Sequence, residues 1–356
     1  MKKTISAAVA LSIFAAPAIA ANLENPLYMP KQGSVYSKTS AGVMYKIADD
    51  SDAHQLKNHD GATEFPIWRV HEELGYGILD NLEAYAKLGY THDGDIDRKG
   101  IHLGRAGLKY RAINTDDGWV WDLYADAQLG GIVEMSGSYA ANGFTYDNYS
   151  TGRWGFHVGT QVGKTWSKFS TAAFVEVLRT FGNDNNSIEI KEIDARKAGF
   201  GVLDRATLTA LGFTDEISVD LKSTTELNAG LKAFYQLDDR WSFGGGFTFK
   251  HHADNGVEGL ATTLNAPSIT AIPVASGGTV PATMVQQGLV DGLLAEVADM
   301  EDGFDEYILN LTAAYQMTDT MQVAVYGEYT FDESHVNSQN GTDVKAELGV
   351  RLNVQF

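Results

Sequence analysis

The chain contains no cysteine. That excludes a disulfide framework, a thiolate metal site and a cysteine nucleophile. Proline is scarce, at 7 residues in 356, which excludes proline-rich linkers. Positive charge is in deficit: 27 Lys and Arg face 46 Asp and Glu, a formal net charge of −19. Nucleic acid needs clustered Lys and Arg, so it is excluded as a partner. No long apolar run follows the N-terminus and mean hydropathy is −0.19, which excludes a polytopic helical membrane protein. Hydrophobic residues at 44% and aromatics at 11% are nonetheless too many for a disordered chain. Two classes survive: an exported soluble β protein, or a β-barrel whose membrane signal is too weak per strand for a hydropathy scan.

The N-terminus is an export signal by pattern. Lys2 and Lys3 precede an apolar stretch from Thr4 to Ala16, and Ala18-Ile19-Ala20 supplies small residues at −3 and −1. Cleavage is expected after Ala20, leaving residues 21–356 as a single domain. Losing Lys2 and Lys3 takes the formal charge from −19 to −21. The apolar stretch is too short to span a bilayer. Without a lipobox cysteine, no lipoprotein anchor is expected.

The C-terminus carries the clearest periodicity. From Thr342 every second residue is apolar or small: Val344, Ala346, Leu348, Val350, Leu352, Val354, Phe356. Between them lie Asp343, Lys345, Glu347, Gly349, Arg351, Asn353 and Gln355. This alternation outlasts the usual 5–6-residue strand of a soluble sheet and suits a tilted membrane-spanning strand. Similar segments recur at Tyr36–Ile47, Ile67–Tyr76, Leu82–Thr91, Ile101–Ala112, Trp119–Gly131, Arg153–Lys164, Phe169–Phe181, Thr225–Leu237, Trp241–His251, Tyr307–Gln316 and Met321–Phe331, twelve strands in all. The links alternate in length. Short turns near 78–81, 113–118, 165–168, 238–240 and 317–320 are interleaved with long segments at 48–64, 92–99, 132–152, 182–223, 252–304 and 333–341. Short turns on one side and long loops on the other are the asymmetry of a closed antiparallel transmembrane β-barrel. Aromatics such as Trp68, Tyr76, Tyr110, Trp119, Trp154, Phe169, Tyr235 and Trp241 gather at strand ends, where membrane interfaces would lie.

Val350-Arg351-Leu352-Asn353-Val354-Gln355-Phe356 resembles the assembly signal of Gram-negative outer-membrane β-barrels. Gly75-Tyr76-Gly77-Ile78-Leu79-Asp80-Asn81-Leu82-Glu83 resembles a hairpin common in small porin-like barrels. With the leader and the twelve strands, the chain resembles that superfamily over nearly its whole mature length. The resemblance implies a multi-pass barrel in the bacterial outer membrane, with Phe356 as part of the assembly signal. It implies contact with membrane lipid and lipopolysaccharide, and passage through periplasmic chaperones and the barrel-assembly machinery. It implies no cofactor and no enzyme activity, and it leaves the oligomeric state open.

Motifs that suggest other chemistry are weak. Gly159-Thr160-Gln161-Val162-Gly163-Lys164-Thr165 is one residue short of a phosphate loop and has no following helix. Asp93-Gly94-Asp95-Ile96-Asp97 opens like a calcium loop, but Arg98 stands where Gly is required and Gly104 where Glu is. His335, Ser338 and Asn340 resemble the catalytic residues of outer-membrane phospholipases, with His and Ser on opposite faces if extended. His251-His252, and His54 with His59, read as loop histidines; adjacent strand residues point to opposite faces, which disfavours a shared metal.

If the apolar set faces lipid, the lumen receives Arg69, Glu73, Glu83, Lys87, Arg105, Lys109, Arg111, Asp122, Asp126, Arg153, His157, Glu176, Glu226, Lys232, Lys250, Glu306, Glu328, Asp343, Lys345, Glu347 and Arg351. Signs are nearly balanced, with Arg105, Lys109 and Arg111 as a basic ladder opposite Asp122 and Asp126. Glu72 is an exception, since it falls on the lipid-facing set. The interior is then either cross-braced and nearly closed, or a narrow charged pore, because twelve strands lie between the filled eight-strand barrel and the open sixteen-strand porin. Val285, Leu289, Leu293, Val297 and Met300 repeat at helical spacing, so 282–300 is expected as a helix that crosses the mouth, constricts the lumen or caps a loop. Segment 188–221 is expected to extend strands and add one helical turn. The functional expectation is a narrow porin-like passive channel for small polar solutes. The alternatives are a non-conducting surface or adhesive barrel and, behind it, a lipid hydrolase.

Overall fold

Alternating apolar and polar residues force each strand to offer one face to each of two environments. In the computed structural model all twelve expected strands form: β1 (Val35–Ile47), β2 (Ile67–Leu79), β3 (Leu82–Asp93), β4 (Arg98–Asn114), β5 (Trp119–Gln128), β6 (Gly155–Trp166), β7 (Phe169–Thr180), β8 (Thr224–Gln236), β9 (Trp241–His252), β10 (Phe304–Gln316), β11 (Met321–Phe331) and β12 (Val344–Gln355). The structure describes residues 22–47, 67–93, 98–130, 134–136, 139–141, 144–147, 153–194, 200–214, 216–253, 257–261, 264–274, 276–299, 304–331 and 344–356. The leader, His54, His59, Asp95, Asp97 and the His335–Asn340 segment lie outside them.

Each strand pairs antiparallel with its sequence neighbour, and β1 pairs with β12 from Tyr36↔Gln355 to Ile47↔Val344. The sheet is therefore a closed twelve-stranded barrel. Closure leaves no unpaired edge, the condition for β structure inside a bilayer. Short turns fall at 80–81, 115–118, 167–168, 237–240 and 317–320. In barrels of this class that end is periplasmic.

The outer surface is apolar. Leu231 is 62% exposed, Leu311 62% and Leu348 63%, and the same face carries Val70, Leu74, Leu88, Leu108, Val162, Val175, Leu309, Val325 and Val350. A belt of this kind on every strand is untenable in water and suits hydrocarbon. Rings flank it. At the turn end Trp166 stacks on Phe169, centroids 6.0 Å apart, and Trp241 meets Tyr315 at 4.9 Å. At the loop end Phe156 meets Phe181 at 5.8 Å and Phe249 meets Tyr307 at 5.6 Å.

The long loops build structure of their own. The connections after β5, β7 and β9 contribute a second sheet from Tyr139–Ala141, Phe144–Asp147, Asn183–Asp194, Val202–Leu203, Glu216–Leu221 and Val257–Ala261. Helix α1 (Arg205–Ala210) is capped by Asp204, whose carboxylate accepts from the Thr207 N–H at 2.8 Å. Helix α2 (Ala282–Asp299) follows a short hairpin of Ala271–Pro273 with Thr279–Pro281. Leu203, Leu208, Leu211 and Phe213 pack against Ile272, Ala282 and Val285 in one buried cluster. The helix expected over 282–300 is thus present, and it packs within the outer loops. The strand extensions and the helical turn expected over 188–221 are present as well.

Candidate functional site

The lumen is set by the inward members of each alternating pair, and its first feature is not a strand. Residues 22–34 cross the turn-side end of the barrel as an irregular strap. Pro26 and Pro30 cannot donate to a ladder, which keeps the segment out of the sheet. Asn22 and Asn25 turn the chain by accepting from the Glu24 and Leu27 N–H groups at 3.1 and 3.0 Å.

The strap's free polar groups are met by the wall. Asn22 donates to Gln236 at 2.7 Å and Ser242 at 2.9 Å, and accepts from Gln322 at 3.0 Å. The Glu24 carboxylate takes Arg351 at 2.8 Å and Asn353 at 2.7 Å. Asn25 donates to Ser170 at 3.3 Å. Backbone carbonyls of Pro26, Leu27 and Tyr28 accept from Gln161 at 3.0 Å, Arg111 at 2.7 Å and Lys109 at 2.9 Å. Leu27 buries itself against Val120 and Ala172, and the Tyr28 ring meets Tyr36 edge-on at 5.6 Å. Side chains of seven strands hydrogen-bond the strap between Asn22 and Tyr28, β2 meets its end where the Gly33 N–H donates to the Gly77 carbonyl at 2.8 Å, and the strap forms a floor.

Above the floor, one side of the lumen is braced by tyrosine–carboxylate–cation units. Tyr36 donates to Glu73 and Glu83, which pair in turn with Lys38 at 3.3 Å, Lys87 at 3.4 Å and Lys109 at 2.9 Å. Tyr85 donates to Asp126 at 2.8 Å, which also holds His157 at 2.8 Å and Arg105 at 3.9 Å. Tyr124 donates to Glu176 at 2.6 Å. Tyr326 donates to Glu347 at 2.8 Å, beside Arg69 at 3.3 Å. Inward glycines make room for the rings: a Cβ on Gly75 would lie 2.1 Å from Tyr36, and one on Gly159 2.4 Å from Tyr124.

Between strap and walls lies a half-open cavity of about 550 Å³. Of the residues expected to line a pore, Arg69, Glu73, Lys87, Arg105, Lys109, Glu176, Lys232, Glu328, Glu347 and Arg351 border it. Arg111 and Asp122 do not. They form a bidentate pair at 2.8 and 3.0 Å against the strap, with Asp122 fully buried. Asp126 sits buried behind Tyr85 and His157. Arg153 lies at the loop end, where it donates to the Phe181 and Lys222 carbonyls. Lys345 belongs to β12, at register with Lys46 and Thr330. The basic ladder is therefore fully paired: Arg105 with Asp126, Lys109 with Glu83, Arg111 with Asp122.

Sequence reasoning missed the strap, Lys38 and the roles of Tyr36, Tyr85 and Tyr124. The tyrosines share the inward phase of their strands, which was the available signal. The phosphate-loop look-alike from Gly159 to Thr165 lies within β6. His251 and His252 sit at the end of β9 and not in a loop, and they face apart, His251 to Asp305 at 2.7 Å and His252 to Glu306 at 3.3 Å. Among the described residues no group of His, Cys, Asp and Glu could hold a metal.

Fold and lumen define a membrane-spanning β-barrel of the outer-membrane type, with a polar interior. No family model and no curated protein sequence matches the chain. Among solved structures it is similar to an outer membrane channel from Pseudomonas putida F1, at 11% identity over 94% of this chain and 99% of that one, TM-score 0.49. It is similar to the NanC porin at 10% identity, over 89% and 98% of the two chains, TM-score 0.41. The transport unit of the autotransporter AIDA-I from Escherichia coli follows at 9% identity, over 94% and 95%, TM-score 0.44.

Proposed function

We propose that this barrel is a narrow passive channel for small polar solutes in the bacterial outer membrane. The observation that carries the reading is the charged cavity of about 550 Å³ between the strap and the walls. A barrel needed only as a membrane scaffold gains nothing from a polar chamber. Burying charged groups costs free energy even when they are paired, and packing the interior with apolar side chains would avoid it.

Solutes would cross by diffusion past the charged walls, which set selectivity. The strap is the main resistance. Its hydrogen bonds are worth about 1 kcal/mol each net. Spread over seven strands they make release of the whole strap rare, so the intact channel conducts weakly and passes only what fits around or beneath it. Planar-bilayer recording of the full barrel beside a variant lacking residues 22–31 tests this. Small openings in the full barrel and markedly larger ones in the variant are expected. Silence in both would leave a surface-structural barrel, the reading that the strap and the braced wall would then favour.

A further inference from the structure

Almost every charged side chain that borders the cavity has an opposite charge beside it. Among the described residues Lys232 and Glu328 are the exceptions in making no ion pair within 4 Å; Glu176 acts on Lys232, and Arg69 and Lys250 on Glu328, only from further off. Neither has an ion-pair or hydrogen-bond partner; Lys232 lies over the Phe174 ring, 4.3 Å from its centroid. Register places them in one row of the wall: Lys232 opposes Gly246, Gly246 opposes Asn310, and Asn310 opposes Glu328. Four adjacent strands thus present, side by side, an ammonium, no side chain, a carboxamide and a carboxylate. Asn310 likewise spends its amide on no partner among the described residues.

The row also borders the most open part of the wall. A Cβ on Gly244, the next inward position of β9, would have no neighbour closer than 3.7 Å. Other inward glycines have closer neighbours: Gly75 and Gly159 meet tyrosine rings, Gly89 histidine rings, and Gly107 and Gly163 backbone carbonyls. Three strand spacings separate Lys232 from Glu328, about 14 Å between their Cα atoms along the wall. That is too far for the two to pair with each other, and both side chains border the same cavity.

We infer that this row is a binding site for a small zwitterion, a molecule of the amino-acid or short-peptide class, with its carboxylate at Lys232, its ammonium at Glu328 and Asn310 bridging. The inference rests on the channel reading and names the solute class. A simple anion would meet Glu328 and a simple cation Lys232, each with repulsion at one end. A neutral solute would satisfy neither charge. Only a molecule with both charges offsets the desolvation of both groups.

Liposome swelling tests the site. Proteoliposomes holding the full barrel are challenged with L-glutamine and with L-arabinose, which are similar in size but differ in charge. Glutamine should enter several-fold faster than arabinose. Lys232→Gln with Glu328→Gln should bring the two rates to parity, with a heat-dependent shift on an SDS gel showing that the variant has folded. The single variants should separate in sign: Lys232→Gln favours ethanolamine over lactate, and Glu328→Gln favours lactate over ethanolamine. Equal rates in the unaltered barrel, or a glutamine preference that survives the double change, would overturn the site while leaving the channel standing. Swelling with neither solute would overturn the channel and the site with it.

Discussion

Glu72 shows how far one residue can depart from its strand. By phase it belongs to the lipid-facing set of β2, with Trp68, Val70, Leu74 and Tyr76, and that is where it lies. The register is not shifted. Ser37 and Thr39 of β1 face outward beside it and donate to its two carboxylate oxygens at 2.6 and 2.5 Å. A polar trio thus interrupts an otherwise apolar belt. Leu348 is the contrasting case, 63% exposed on β12 and paired in register with Val43 and Gly327. Leu348→Arg should cost about 2–4 kcal/mol of insertion free energy if it lies near the midplane. Glu72→Leu should cost nothing or stabilise, since it removes a carboxylate from hydrocarbon. Urea titration of the two variants in lipid vesicles measures both, and equal losses would mean that the outward face is not in contact with acyl chains.

At the scale of elements, the outer loops are a unit with their own core. Leu208 and Leu211 are 1% and 0% exposed, as deeply buried as any side chain of the barrel. Leu208→Asp would place a charge in that cluster without touching a barrel strand. The loops should then be cut readily by protease while the barrel keeps its resistance; a barrel lost along with the loops would show that the two fold together. The elements divide by how legible they were. The twelve strands, the turns and both loop helices could be read because a period of two, or of 3.6, repeats along them. The lipid face could be read for the same reason. Pairing in the lumen could be read only where opposite charges face across adjacent strands, as Arg111 and Asp122 do. The tyrosine units escaped because aromatics near strand ends suggest interface belts. The strap escaped because it has no period: only Pro26 and Pro30 mark it, and its meaning depends on a cavity that exists once distant strands have closed.

At the scale of the whole molecule, the barrel is one hydrogen-bonded ring. Its ladder has no free end from which to unravel, so denaturation by detergent needs heat. An unboiled sample should migrate differently from a boiled one on an SDS gel, and identical mobility would contradict a closed ring. Phe356 takes part in the closure, since its N–H donates to the Val35 carbonyl at 2.8 Å and its carbonyl accepts from the Val35 N–H at 3.3 Å.

The strap fixes an order of events in time. It precedes β1 in the chain, yet its seats are on β4, β6, β7, β8, β9, β11 and β12. Its seating can therefore be completed only when the last strand, which carries Arg351 and Asn353, is in place. When β12 meets β1, the ring closes beside a segment tethered to β1 at that same seam, and the strap can swing in through the short-turn mouth without threading the barrel. Seating the strap is thus a late step, and a barrel caught before it would be complete in its strands and still unobstructed.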